Sequence, residues 1–339
     1  MKIVAFEVEP HEAAAFEPLG DDHDLVLSDA PLRADNAAQY ADAQIISIFV
    51  YSRLDRSTLE QLPSLQLIAT RSTGVDHIDL AYCAEHDITV SNVPTYGAHT
   101  VAEHVFALLL TISHRMLEAV ERARSGPFSP KGLQGFDLSG KTLGVIGTGH
   151  IGRHVIRIAR GFEMDVVASD IRPDQGLARE LGFRYAPLEE VLQRAHIITL
   201  HVPATGETEN MIGAPQFDQM RDGVILINTA RGTVLDVRAL VQALRTGKVA
   251  AAGLDVLPAE PMIREEAELI VSAFPDQQDL YSLLADHVLL RMPNVVITPH
   301  SAFNTREAVA RIVGTTVENI AAFLADQPRN VVAAADRST

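Results

Sequence analysis

The chain has 339 residues, 47% of them hydrophobic, and a formal net charge of −16. That length favours two domains over one, and the apolar fraction suffices for buried cores and excludes global disorder. The surplus of carboxylates repels phosphate backbones and speaks against nucleic-acid binding, while a single cysteine, Cys83, excludes an intrachain disulfide and lends secretion no support.

At the N-terminus, MKIVAFEVEP places Glu7 and Glu9 where a signal peptide needs an apolar core. The longest strongly apolar patch, Val105–Ile112, is far too short to span a bilayer. A cytoplasmic protein without membrane association is expected. Lys2–Glu7, Leu25–Asp29, Ile45–Val50, Leu67–Thr73 and Thr89–Pro94 read as strands, with helical spacing between them, as in Ser57–Leu65. Such alternation predicts a small, doubly wound parallel-sheet domain. Next, Thr100–Val120 lacks proline and glycine and is apolar around much of its circumference. It predicts a buried helix that links two domains or packs on a second subunit. Arg124–Gly140 is rich in glycine, proline and serine and reads as a loop. A second series of six strands follows: Thr142–Gly147, Val166–Asp170, Ile197–Val202, Val224–Thr229, Ala250–Val256 and Val295–Pro299. Thr305–Ala325 has helical spacing again, and Ala333–Thr339 reads as a frayed end.

The first strand of the second series runs into GTGHIG, a G-x-G-x-x-G loop followed by the helix-like RHVIRIARGF. In that context Gly147 permits a tight turn, Gly149 lets backbone approach a pyrophosphate, and Gly152 lets helix and strand pack closely. The free N–H groups of the helix start would face the phosphates. Asp170 ends the next strand, where its carboxylate would accept hydrogen bonds from ribose hydroxyls and repel a 2′-phosphate. NAD is therefore expected over NADP, with Arg172 close by tempering the preference. His150 and Ile151 within the loop are further cofactor contacts. So are Val202 and Pro203 after the third strand, and Thr229 and Ala230 after the fourth, while His201 reads equally as a cofactor contact or a packing residue.

Three later strands end on chemistry-bearing residues. INTARG puts Arg231 past the fourth strand, AAGLDVLPAEP puts Asp255 at the end of the fifth and Glu260 beyond it, and NVVITPHSAF puts His300 past the sixth. Ligands of open α/β sheets bind beyond the carboxyl ends of the strands. Arginine can hold a planar carboxylate with two parallel bonds, and histidine can move a proton near neutral pH. A carboxylate beside the histidine would favour the imidazolium that carbonyl reduction needs.

GTGHIG, NTARGTVLD, GLDVLPAEP and NVVITPHSAF, in this order and spacing, resemble the D-isomer-specific 2-hydroxyacid dehydrogenase family. The resemblance implies two doubly wound α/β domains: a Rossmann dinucleotide-binding domain, residues 100–299, inserted into a flavodoxin-like substrate domain, residues 1–99 and 300–339. It implies Arg231, Glu260 and His300 as the catalytic set and Asp255 as a contact to the nicotinamide. It also implies that backbone amides at Gly74–Val75, in RSTGVDHIDL, hold the substrate carboxylate. VYSRLD, NVPTYGAHTVAEH and ITPHSAFNTREA resemble the D-lactate dehydrogenase branch, with Tyr51, Tyr96 and Phe303 as substrate neighbours. The long segment Met262–Leu290 suits the same branch. A homodimer through Thr100–Val120 is implied as well.

The reading is thus an NAD-dependent enzyme interconverting pyruvate and D-lactate. Its rivals are the same chemistry on glycerate, phosphoglycerate, a bulkier keto acid or phosphite, and a dinucleotide-sensing scaffold that binds partner peptides. No metal is expected, because His99, Glu103 and His104 match neither zinc-helix spacing. Cys83 reads as a small buried hydrophobe.

Overall fold

Residues 1–258 and 285–332 are described by the computed structural model. Glu260, the acidic stretch Arg264–Glu268 and most of Met262–Leu290 lie outside the described residues. The chain divides into two compact units, Met1–Tyr96 with Asn304–Thr339, and Gly97–Phe303. The crossings fall after Tyr96 and Phe303, so His300 and Phe303 belong to the second unit rather than to the returning tail.

In the first unit, β1 (Lys2–Ala5), β2 (Asp24–Leu27), β3 (Ile45–Ile48), β4 (Leu67–Thr70) and β5 (Thr89–Ser91) form one sheet in the order β2-β1-β3-β4-β5. Every pairing is parallel. Strands covered on both faces need continuous apolar runs rather than alternation, and β3 (IISI) and β4 (LIAT) are buried at every position. The helix Arg306–Leu324 starts on Thr305, whose hydroxyl accepts from the Ala308 amide at 3.2 Å. It lays Val313 and Ile320 onto Ile3, Ala5, Ile45 and Leu67. The returning tail therefore completes the core of the N-terminal sheet. Cys83, on the helix Leu80–Glu85, is fully buried, and burial pushes its thiol up to about 12. The helix expected over Ser57–Leu65 is confined to Arg56–Leu59. Pro63 disfavours helical backbone at Leu62.

The second unit holds seven strands: β6 (Thr142–Ile146), β7 (Asp165–Ser169), β8 (Arg184–Tyr185), β9 (Ile197–Leu200), β10 (Val224–Asn228), β11 (Val249–Leu254) and β12 (Val295–Ile297). Their order, β12-β11-β10-β9-β6-β7-β8, is parallel throughout. In chain order this is the 3-2-1-4-5-6 arrangement of a dinucleotide fold, extended by one strand. The six strands read from the sequence are present, and β8, only two residues long, was not foreseen. The expected single helix Thr100–Val120 is two helices, Ala98–Ser113 and Met116–Ser125, broken at Arg115 with φ of 50°. The first helix buries Ala102, Val105, Phe106 and Leu109 in its own unit, and the second buries nothing. The approach of the first helix to the sheet depends on Gly253, where a Cβ would lie 3.0 Å from that of Leu108. Among the described residues, no helix is long and apolar enough to cross a membrane.

Candidate active site

The strand registers bring the candidate residues of the second unit into one row. Ile146 pairs with Ser169 and with Leu200, Leu200 with Asn228, Asn228 with Leu254, and Leu254 with Ile297. One residue further along each strand stand Asp170, Gly147, His201, Thr229, Asp255 and Thr298. They line the carboxyl ends of β7, β6, β9, β10, β11 and β12. At the usual strand spacing the row spans about 24 Å. The glycine loop lies at the switch between β6 and β9, where an open sheet takes its ligand.

The loop has the geometry of a phosphate cradle. Gly147 has φ of 94°, and a Cβ there would sit 2.5 Å from the His201 carbonyl oxygen. At Gly152 a Cβ would lie 2.1 Å from the Gly147 carbonyl, so only glycine lets the helix His150–Gly161 start this close to β6. Gly149, by contrast, faces open space, with no atom within 4 Å of a Cβ. His150 is exposed on the first helical residue, and Ile151 is half-buried against the core. Asp170 accepts from the Thr148 amide at 2.6 Å, the Thr148 hydroxyl at 2.8 Å and the Arg172 amide at 2.8 Å. Burial works against its charge, but those amides and the hydroxyl outweigh it and hold the carboxyl below its usual range. Since the Thr148 hydroxyl spends its proton on Asp170, the Tyr185 hydroxyl at 2.9 Å is the donor to it. The unforeseen β8 thus ends on a residue that steadies the loop.

Two buried polar atoms in the row lack a hydrogen-bond partner among the described residues: His201 Nδ1 and Thr229 Oγ1. The other His201 nitrogen, Nε2, meets the Thr199 hydroxyl at 2.9 Å, and burial pushes the imidazole down to about 3, so the ring is neutral. Orphaned polar groups beside an open glycine turn are what a dinucleotide with its own donors and acceptors would satisfy, and Val202, Pro203 and Ala230 flank them. The residues present fit such a group.

The catalytic candidates sit on three neighbouring strands, β10, β11 and β12. Arg231 is half-buried on a turn whose backbone is fixed by Asn228, which donates to the Arg231 carbonyl at 2.9 Å and accepts from the Ala230 amide at 3.0 Å. Its guanidinium donates to the Ala230 carbonyl at 2.8 Å. Beside it, Gly232 lies against the backbone of Leu257 and Pro258. A Cβ there would be 2.2 Å from the Leu257 carbonyl carbon. This braces the Arg231 turn against the segment that leads toward Glu260.

His300 takes the left-handed conformation, φ 50°, that non-glycine residues seldom adopt. Its amide is held by the carbonyls of Asp255 and Thr298, each at 2.9 Å. The Asp255 carboxylate, 1% exposed, grips the rest of the turn. Oδ1 accepts from the Thr298 hydroxyl at 2.5 Å and the Ser301 amide at 2.9 Å, and Oδ2 from the Ala302 amide at 3.0 Å. Asp255, a nicotinamide contact in the sequence reading, is thereby also the clamp of the His300 turn. His104 stands behind it, Nε2 3.0 Å from the Thr298 hydroxyl and 3.4 Å from Asp255 Oδ1. Sequence reasoning considered His104 only as a metal ligand and missed this contact across 194 positions. Among the described residues no His, Cys, Asp and Glu cluster could hold a metal ion.

The first unit carries its own candidates. The Gly74–Val75 turn is pinned by Ser72, whose hydroxyl donates to the Gly74 carbonyl at 2.6 Å, and by Thr73, which donates to the Val93 carbonyl at 2.7 Å. Among the described residues, neither the Gly74 nor the Val75 amide donates to a protein acceptor. Tyr51 is 48% exposed, its ring edge-on to Phe49. Its loop is organised by Glu7, a buried residue that the sequence reading used only against a signal peptide. The Glu7 carboxylate accepts from the amides of Phe49 (2.9 Å), Tyr51 (2.7 Å) and Ser52 (3.1 Å) and from the Ser52 hydroxyl. The Tyr96 carbonyl accepts from Arg311 of the returning helix at 2.5 Å. Phe303 is half-buried at the end of the second unit.

Comparison with known proteins agrees with this architecture. Residues 106–302 match the family model of the D-isomer specific 2-hydroxyacid dehydrogenase, NAD binding domain. The chain is 33% identical over 327 residues to D-lactate dehydrogenase of Escherichia coli, covering 94% of this chain and 96% of that one. It is 36% identical over 333 residues to aromatic 2-oxoacid reductase of Clostridium sporogenes, covering 95% and 96%. Among solved structures, D-lactate dehydrogenase from Aquifex aeolicus, complexed with NAD and lactic acid, superposes with a TM-score of 0.86 at 35% identity, covering 96% of each chain. The chain belongs to the D-isomer-specific 2-hydroxyacid dehydrogenases, NAD-dependent oxidoreductases that act on the CH–OH group of a 2-hydroxy acid.

Proposed function

We propose that this enzyme interconverts pyruvate and D-lactate. The observation that carries the reading is the arrangement of Arg231 and His300 past β10 and β12, on either side of the Asp255 clamp on β11. Strands two apart place their ends about 10 Å from each other, a span that an arginine side chain and an imidazole can close around a three-carbon acid.

In this reading the Arg231 guanidinium takes the substrate carboxylate with two parallel N–H bonds and polarises the adjoining carbonyl. The His300 imidazolium gives its proton to the carbonyl oxygen during reduction, and the neutral ring takes it from the alcohol during oxidation. Glu260 favours the charged imidazole by its own negative charge. Gly147, Gly149, His150, Ile151 and Gly152 hold the cofactor phosphates, Asp170 its ribose, and His201, Val202, Pro203, Thr229, Ala230 and Asp255 line the rest. When bound, the nicotinamide supplies or accepts the hydride. For the substrate, the reading assigns the Gly74 and Val75 amides to the carboxylate and Tyr51, Tyr96 and Phe303 to the side chain. The choice of D-lactate is supported by the relatives that carry that name, while the aromatic 2-oxoacid reductase marks the alternative within the family.

The partner in this reading is a second copy of the chain. Its contact face is Met116–Ser125 rather than the core helix before it: Met116, Leu117 and Val120 are exposed there, and Phe128 beyond it is 94% exposed.

The test follows NADH absorbance after adding enzyme and pyruvate, with glyoxylate, hydroxypyruvate, 2-ketobutyrate and phenylpyruvate in parallel. We expect the highest kcat/KM with pyruvate and a product consumed only by a D-lactate-specific enzyme. A higher kcat/KM with another acid moves the substrate and keeps the chemistry. Binding of NADH without turnover of any of them defeats the enzyme reading in favour of a sensing scaffold.

A further inference from the structure

We propose that His104 is a positioning residue for His300, acting through the Thr298 hydroxyl and the Asp255 carboxylate. The inference rests on the reading of His300 as the acid–base group. A hydroxyl has one proton to give. At 2.5 Å from a buried carboxylate, Thr298 Oγ1 gives it to Asp255 Oδ1. Its lone pair then faces His104 Nε2 at 3.0 Å, so the imidazole carries its proton on Nε2 and is the donor. A directed chain results: His104 Nε2–H to Thr298 Oγ1–H to Asp255 Oδ1, the oxygen that also receives the Ser301 amide.

Both ends of this chain bear on His300. At the inner end, Asp255 holds the residues before and after His300 and stabilises its left-handed backbone, which is unfavourable for a residue with a Cβ. At the outer end, His104 belongs to the helix Ala98–Ser113, seated on the sheet through Val105, Phe106, Leu108 and Leu109. Thr298 lies in the turn itself, after β12, and Asp255 at the end of the neighbouring strand β11. His104 ties that turn to a helix as well. Losing it removes the donor that fixes the Thr298 hydroxyl and lets the Asp255 clamp share its proton donors differently, with the His300 ring moving off its line to the substrate.

The experiment compares the full-length enzyme with His104→Leu, which keeps bulk without a donor, and His104→Gln, whose amide can place N–H where Nε2–H stands. Keto-acid kinetics, NADH affinity and peptide-level hydrogen exchange over residues 298–303 are measured on all three. For His104→Leu we expect kcat to fall about tenfold with NADH affinity kept within about twofold, and faster exchange across 298–303. For His104→Gln we expect recovery of both. Equal loss in the two variants would assign His104 to packing and overturn the proposal, as would unchanged kcat and exchange in His104→Leu. Exchange needs no turnover. If the wild type reduces no keto acid, the reading of His300 fails, and the 298–303 exchange still upholds or overturns the tether by itself.

Discussion

At the scale of single residues, the turn that carries Arg231 depends on contacts that admit no extra atoms. Gly232 is the sharpest case, since a methyl group there would overlap the Leu257–Pro258 backbone, which has no flexible end to swing aside. Gly232→Ala should destabilise the protein by about 2–4 kcal/mol, seen as a lowered thermal midpoint. Because Gly232 adjoins Arg231, kcat/KM for the keto acid should fall more than NADH affinity does. Equal kinetics would show that Arg231 does not depend on this brace. The placement of Arg231 and His300 just past strand ends was legible in the sequence because each lies two or three residues beyond an apolar run whose strand identity and direction are readable. Glu7 and His104 were not. Their partners lie 42 to 45 and 194 positions away, and nothing local distinguishes a buried glutamate that accepts three amides from a solvated one. The neighbourhood of Glu260 falls outside the described residues, and its role stands on the resemblance alone.

Among elements, those built from continuous apolar runs were readable and those decided by packing were not. The interior strands of the two sheets announce themselves because parallel strands there are buried on both faces, while β2 and β12 are half-exposed and show only as short apolar runs. Two-residue β8 has no periodicity to detect. The break at Arg115 was hidden as well, since His114 and Arg115 are ordinary helix residues and the left-handed turn is fixed by bonds from Arg115 to the Gly132 carbonyl and to Glu118. The glycine loop shows how one element serves another. Asp170 was read as a ribose contact, yet its carboxylate also anchors Thr148 between the first two glycines. Asp170→Ala should therefore weaken NADH binding about tenfold and, by removing the like charge, weaken NADPH binding less or improve it. Fluorescence titration with both cofactors measures this. An unchanged NADH affinity would mean that neither the ribose nor the loop relies on Asp170.

For the whole molecule, the placement of a dinucleotide loop near the middle of the chain has a plain explanation. The chain builds the first sheet, leaves it after Tyr96 to build the second unit, and returns after Phe303 with a helix that finishes the first core. Self-association belongs to this scale too. Leu117→Glu places a charge on the exposed apolar face of Met116–Ser125; under the proposed homodimer the wild type should sediment as a dimer at micromolar concentration and the variant as a monomer. An unshifted dimer would move the interface elsewhere. The sole cysteine adds one more consequence. Cys83 sits wholly inside the first unit with its thiol held in the unreactive, protonated form, and the second unit has none. A thiol-modifying reagent therefore reacts only when the first unit opens. Without any label or engineered probe, the protein keeps a clock for the unfolding of one half of itself, blind to the other.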